Sequence, residues 1–300
     1  MITKEASMNK HTPKTNVLIA LKNILLKNIN TMPFVKDHRN NNRINSVGDL
    51  LEYYVKDSFC IDSADMQTTN EKLAEYQKVF SYLGNASNPP DFVIQHGPAV
   101  EVKKIQGENA NGIALNSSFP KDSLYNDDFR IKQECRECED EFGGWSKKDM
   151  IYAVGNVKSN VLHSLWFVYG DCYCADKSYY ERISNTIRDG VANIPDVEFG
   201  ETKELGRINK VDPLGITYLR IRGMWGIAHP SAVFRPLLST DESKTNIYVL
   251  MTKEKHDSLE EIPDFQHLID QGTLTIKDVK VPNPNNPAKN LNAILYKGII

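Results

Sequence analysis

The sequence predicts an α/β fold with a central mixed β-sheet flanked by helices, and three observations carry that prediction. Apolar residues recur at helical spacing in the first sixty positions. Two nearly continuous apolar runs of strand length, Met150–Val157 and Leu162–Tyr169, read as strands covered on both faces. Around them strand and helix patterns mix in no repeating order, which favours one layered sheet over a repeat array.

Residues 1–15 are polar and read as a flexible N-terminal tail, with 16–300 as a single domain. From Val17 to Ile29 the apolar positions 17, 18, 21, 24, 25 and 29 predict a first helix. Asp37 to Asn45 is a polar loop. Ser46 and Asp49 form a start signal for a second helix, whose Val47, Leu50, Leu51, Tyr54 and Val55 share one face. Val79–Tyr82 reads as a strand, and Asn88-Pro89-Pro90 as a turn, because a proline pushes the residue before it towards extended geometry. Two short strands follow, Asp91–Ile94 and Ala99–Ile105, joined through Gln95-His96-Gly97-Pro98. Residues 122–141 read as an exposed acidic helix. After the two apolar strands, Lys177–Arg188 is helical by pattern, and Ile216–Arg222, Asn246–Met251 and Thr273–Val281 are strand candidates. Pro282 to Pro287 reads as a proline/asparagine linker.

The chain is 300 residues long, enough to bury a sizeable core, and its 40% hydrophobic and 25% charged residues are ordinary for a globular protein. The net charge of −3 excludes a generally basic nucleic-acid binder, so any affinity for nucleic acid must come from a local surface. No stretch approaches the roughly 20 apolar residues of a membrane span, and the N-terminus has no apolar signal core, so a cytoplasmic location is expected. Five cysteines make no disulfide framework. Cys135, Cys138, Cys172 and Cys174 could in principle bind zinc, but an acidic setting and a C-x-C spacing fit idle or buried thiols better.

The segment from Pro90-Asp91 to Glu101-Val102-Lys103 is the most informative. Strand alternation points Ala99, Glu101 and Lys103 to one face and Val100 and Val102 to the other, with Glu101 and Lys103 roughly 6–7 Å apart. Asp91 begins the adjoining strand and can reach the same face. Phosphodiester hydrolysis needs a cation to polarise the phosphoryl group and activate water. Mg²⁺ prefers oxygen ligands and commonly takes one or two carboxylates. Asp91 and Glu101 can supply them, with the Val102 carbonyl as a third ligand and Lys103 to orient water or neutralise charge. Glu52, at the edge of the second helix's apolar face, could reach this centre; a solvated helix charge is its other reading. For the whole motif, the other reading is a surface hairpin with ordinary charges.

The PD…ExK pattern resembles that of the PD-(D/E)xK nuclease superfamily. More specifically, the stretches NRINSVGDLLEYYVKD (42–57), KVFSYLGNASNPPD (78–91), AVEVKKI (99–105), ALNSSFPKDSL (114–124) and FGETKELGRINKVDPLGITYLRIRGMWGI (199–227) resemble the NgoPII type of type II restriction endonucleases, which cleave within GGCC. The resemblance spans roughly residues 40–230. It implies a restriction-endonuclease-like core, a Mg²⁺-dependent homodimer acting on double-stranded DNA, and a partner DNA methyltransferase that protects the site. Carried over residue by residue, the nuclease motif falls on Asp91, Glu101 and Lys103, and the helix acid on Glu52. A repair or junction-resolving nuclease with the same core, or a DNA-binding regulator without catalysis, are the alternatives.

Two insertions in the domain, about 106–124 and 199–235, are the expected DNA-recognition segments. In the first, Asn116, Ser117, Ser118 and Lys121 can contact phosphates and base edges; a plain polar loop is the other reading. Lys104, beside the motif, joins this set. In the second there are six basic residues (Lys203, Arg207, Lys210, Arg220, Arg222 and Arg235) against three acidic ones between 201 and 235. Alternation over Ile216–Arg222 puts Tyr218, Arg220 and Arg222 on one face, and Leu219 and Ile221 on the other as anchors. Arginine is the commonest partner of guanine, so two adjacent arginines suit two adjacent guanines. Lys203, Arg207 and Lys210 suit phosphates. In the competing reading, Arg220 and Arg222 only pair with acids or phosphates.

Overall fold

The computed structural model describes residues 12–35, 47–85, 87–238 and 244–300. Most of the expected tail, the polar loop at 37–45, Ser46 and the side chains of Val47 and Asp49 lie outside the description.

Helix α1 (Val17–Lys27) starts at Asn16, whose side chain accepts from the Leu18 and Ile19 amides, and stops at Asn28 in the left-handed conformation. Helix α2 (Val47–Phe59) buries Leu51 and Val55 completely. A helix absent from the sequence reading follows, α3 (Thr69–Val79). It carries a capping box between Thr68 and Glu71, and this T-x-x-E spacing was visible in the sequence. The chain then forms β1 (Phe80–Tyr82), β2 (Phe92–Ile94), β3 (Ala99–Gln106), β4 (Ile113–Asn116) and β5 (Ser123–Tyr125). Next come α4 (Gln133–Arg136), β6 (Lys147–Lys158), β7 (Val161–Tyr169), α5 (Gly170–Tyr173) and α6 (Lys177–Ala192). Strands β8 (Gly206–Ile208), β9 (Leu219–Ile221) and β10 (Trp225–Ile227) precede α7 (Pro230–Val233). The chain ends with β11 (Asn246–Thr252), α8 (Lys253–Asp257), α9 (Gln266–Asp270), β12 (Leu274–Asn283) and β13 (Asn286–Ile299).

The main sheet runs β1-β2-β3-β6-β7-β11-β13-β12, with β5 added beside β6. It is mixed: β3 lies parallel to β6 and β7 parallel to β11, while the remaining neighbours are antiparallel. Alternation in β6 explains its unbroken apolar run. Ile151, Ala153 and Val157 pack with α1, α2 and α3 on one face, and Met150, Tyr152 and Val154 pack with Trp166, Cys172 and Phe234 on the other. Helix α2 lies so close that a Cβ on Gly155 of β6 would come within 2.8 Å of the Leu51 side chain. No described helix is long and apolar enough to cross a membrane.

Two expectations are corrected. Residues 122–141 are not an exposed helix but β5, a single turn of α4, a 3₁₀ turn at Asp140–Phe142 and connecting loops. One acid of the supposedly solvated run, Glu139, is buried. It accepts from the Ser81 hydroxyl, the His96 amide and the Lys148 ammonium, and so ties the β2–β3 turn to β6. Residues Pro282–Pro287 are not a linker but the tip of the β12–β13 hairpin. Proline is tolerated there because β12 is an edge strand and Pro282 lies near its end.

Candidate active site

Strands β2 and β3 form a tight antiparallel hairpin, with Phe92 opposite Val100 and Val93 opposite Ala99. The Asp91 amide donates to the Val100 carbonyl at 3.0 Å, so Asp91 is held at the point where β2 begins. Its Oδ2 accepts from the Val102 amide at 2.6 Å. On β3 the Lys103 ammonium donates to Glu101 Oε1 at 2.6 Å, as alternation requires of two residues on one face. Asp91, Glu101 and Lys103 therefore meet in one cluster. In a strand, the amide and carbonyl of one residue point to the same edge. The Val102 carbonyl thus faces the edge where Asp91 sits, just before β2 begins.

Glu52 contributes to this cluster's field from α2, although the Lys56 ammonium holds it at 2.6 Å. Lys56 also donates to the Leu83 carbonyl at 3.1 Å, fastening α2 to the chain that leads into Asp91. Burial first, then the Glu101 and Glu52 carboxylates, push the Asp91 carboxyl well above its ordinary range. For Lys103, burial pulls the ammonium down, but Glu101 and Asp91 together outweigh it and raise it.

The donor set fits a hard divalent cation. Glu101 is buried, and its Oε2 has no hydrogen-bond partner among the described residues, a costly state for a carboxylate oxygen unless a cation or water takes it. Among the described residues no group of three or more His, Cys, Asp or Glu side chains is placed to hold a metal, so the centre offers two carboxylates and backbone oxygen. That matches the preference of Mg²⁺ for few protein carboxylates, with water and phosphate filling the rest. Among the described residues, Cys135, Cys138, Cys172 and Cys174 do not gather into a group of three or more such ligands.

Sequence reading missed one residue that positions the centre. Gly84 has φ +82°, and a Cβ there would lie 2.2 Å from the Asp91 carbonyl oxygen. Only glycine allows the segment after β1 to pass against Asp91. The left-handed requirement has no sequence signature, because it depends on what packs opposite.

The two expected recognition segments are joined. Strand β4 pairs with β10, placing Asn116 opposite Trp225 and Ile113 opposite Ile227. Phe119 stacks on Tyr180 of α6 and meets Trp225 edge-on. The turn after β4 reaches Glu101: Ser118, Phe119 and Lys121 line a narrow cleft with Pro89, Glu101 and Tyr152. The Ser118 hydroxyl is buried there without a partner among the described residues. Asn116 is exposed and Ser117 half-buried. Lys121 departs from the expectation of a DNA contact. It is buried, paired with Asp128, and lies over the Phe119 ring, so its charge is spent inside the fold. Lys104 alternates to the face opposite Lys103, and desolvation lowers its ammonium.

Strand β9 is shorter than expected, and with β8 it forms a separate ribbon in which Arg207 faces Arg220. Arg220 and Arg222 do project together, and both bind Glu204. The expected apolar anchor is only half present: Ile221 packs beside Gly206, but Leu219 is exposed. Arg207 donates to Asn209 and lies over the Tyr218 ring, Lys210 pairs with Glu198, and Lys203 is exposed.

The NgoPII restriction endonuclease family matches residues 15–282. A type II restriction enzyme, NgoPII of Neisseria gonorrhoeae, is 46% identical over 265 residues, covering 87% of this chain and 92% of the relative. No solved structure matches. The chain belongs to the NgoPII restriction endonuclease family.

Proposed function

We propose that this restriction endonuclease hydrolyses phosphodiester bonds of double-stranded DNA within GGCC, in the cytosol, using Mg²⁺. The observation that carries the reading is the meeting of Asp91, Glu101 and Lys103 on one hairpin, with a buried Glu101 oxygen that lacks a partner. Asp91, Glu101 and the Val102 carbonyl would hold the cation. When bound, it supplies charge for the phosphoryl oxygen and lowers the pKa of a water. The Val102 amide keeps Asp91 in one orientation. Glu101 accepts a hydrogen bond from Lys103, which places that ammonium beside the scissile phosphate, where it orients the attacking water and offsets developing negative charge. Glu52, held by Lys56, adds negative charge at the rim and tunes the cation's outer shell. Arg220 and Arg222 read bases. Lys203, Arg207 and Lys210 bind phosphates, with Asn116 and Ser117 at the neighbouring ribbon.

A palindromic site presents the same half-site twice, so the working form is a two-fold homodimer that cuts one strand with each subunit. A host carrying such an enzyme needs a methyltransferase that modifies the same site. Digestion of a plasmid of known sequence in Mg²⁺, with the ends mapped, tests the reading. Fixed ends within GGCC are expected. Cutting only at branched or damaged DNA would point instead to a repair nuclease, and no cutting to a binding protein. Sedimentation of the protein alone and on a short cognate duplex should show a dimer; a monomer in both would overturn the symmetry.

A further inference from the structure

Arg220 and Arg222 share one acceptor. Glu204 lies just before β8. Its Oε2 accepts from Arg220 Nε at 3.0 Å, and its Oε1 accepts from Arg220 Nη2 at 2.7 Å and from Arg222 Nε at 2.6 Å. The backbone that carries this carboxylate is itself well anchored. The Glu204 amide donates to Thr202 Oγ1 at 3.0 Å, its carbonyl accepts from Arg188 Nε of α6 at 3.3 Å, and the next amide, of Leu205, donates to the Ile221 carbonyl at 3.0 Å. Its side chain is 14% exposed, against 48% and 59% for the two arginines. The pair is therefore held from beneath and presented outward. By contrast, the Lys210–Glu198 pair is exposed at both partners, 65% and 51%, as ordinary surface pairs are.

The atoms used decide what remains. A guanidinium has five donors in a rigid plane. Glu204 takes the inner edge: Nε and Nη2 of Arg220, and Nε of Arg222. Among the described residues, the outer edge, formed by Nη1 and the outward hydrogen of Nη2, is left over on each. That outer fork is the one that meets guanine O6 and N7 end-on. A phosphate clamp needs charge and little orientation. Binding one carboxylate to two arginines cuts their combined charge from +2 to +1 and fixes their direction, which is poor for a clamp and good for a reader. Ordering both side chains before DNA arrives also lowers the entropy lost on binding. The hydrogen bond from Arg220, then that from Arg222, hold the Glu204 carboxyl below its usual range, so it is charged at neutral pH.

We propose that Glu204 is the positioning residue of the base-reading head: it holds the inner edges of Arg220 and Arg222 so that their outer forks meet adjacent bases. The proposal rests on the reading of the chain as a site-specific DNA-cutting enzyme. The test uses the full chain and two duplexes, one with the site mapped from wild-type cleavage and one with a single base pair of it changed. Affinities are measured in Ca²⁺, with a salt titration and a melting curve for each variant. Glu204→Ala and Glu204→Gln should lower the preference for the intact site about tenfold or more. Affinity for the changed duplex should hold or rise. The salt slope should steepen by about one, since a positive charge is released to the phosphates. Arg220→Lys and Arg222→Lys keep the charge and lose the fork; they should lose preference but keep affinity for the changed duplex. Glu204→Gln, which keeps the side chain's size, decides the matter if Glu204→Ala does not fold. Unchanged preference in the Glu204 variants, an equal loss of affinity for both duplexes, or lysine variants that discriminate like wild type would each overturn the proposal. Failure of the wild-type chain to cut at any fixed site would instead overturn the reading beneath it.

Discussion

The β2–β3 hairpin and the β8–β9 ribbon both gather charged side chains, and they hold them by different means. In the hairpin, Asp91 is fixed by two backbone hydrogen bonds and Glu101 is buried, on strands whose opposite sides are sealed into the core. In the ribbon, Arg220 and Arg222 stand exposed on a two-stranded element outside the main sheet, and their direction depends on Glu204. Chemistry at a single phosphorus, as proposed for the hairpin, tolerates little misplacement, and a geometry built from backbone and packing suits it. Reading bases on an incoming duplex needs groups that stay open to water until contact. A side-chain relay suits that task, and one acid can set it.

This contrast sets the order of expected effects. Asp91→Ala and Glu101→Ala should reduce cleavage to background without altering the melting curve, and Lys103→Ala should do the same while keeping DNA binding. Near-normal cutting by Asp91→Ala in Mg²⁺ would remove the hairpin from the chemistry. Ca²⁺ should support binding with little cutting, because its looser coordination does not hold the geometry Mg²⁺ imposes. The raised Asp91 carboxyl gives a sign for pH: a proton and the cation compete for the same oxygens, so the Mg²⁺ needed for half-maximal cutting should rise as pH falls.

Gly84→Ala tests whether backbone packing sets the hairpin's precision. The added methyl meets the Asp91 carbonyl from a left-handed backbone, and a loss of about 1–3 kcal/mol in stability is expected. Cleavage should fall further than that loss explains, measured well below the melting temperature. Full activity in the folded variant would mean the hairpin tolerates displacement.

In the ribbon, Arg220→Ala or Arg222→Ala should cost roughly 1–3 kcal/mol of discrimination at one base pair. Lys203→Ala should weaken all duplexes alike and flatten the salt dependence. If the arginine variants lose affinity but discriminate fully, recognition lies elsewhere, most directly at Asn116 and Ser117 on the β4–β10 ribbon.

The smallest effect belongs to Glu52, tied to Lys56 at the edge of the centre. Glu52→Gln should slow cutting about tenfold and raise the Mg²⁺ requirement. Identical kinetics across a magnesium titration would make it a helix charge and nothing more.

How much of this was legible beforehand follows from the range of the forces. Strand alternation is local, so Glu101 and Lys103 on one face, the doubly buried β6 and the outward pairing of Arg220 with Arg222 could all be read from spacing. Helices α1 and α2 follow from their apolar periods, and the start of α3 is legible in its Thr68–Glu71 box. The two misread segments failed for one reason: their residues were judged by type alone. Glu139 looked solvated but is the buried acceptor that ties a turn to a strand. Pro282 and Pro287 looked like a linker but sit at the tip of an edge hairpin. Only the tertiary structure decided that β4 pairs with β10 and so joins the two expected recognition segments, about a hundred residues apart in sequence. It also decided that Lys121 spends its charge on Asp128, that Gly84 must be glycine, and that one carboxylate lies under two arginines. These contacts join residues distant in the chain, and no local period or propensity encodes which distant partner a side chain will meet.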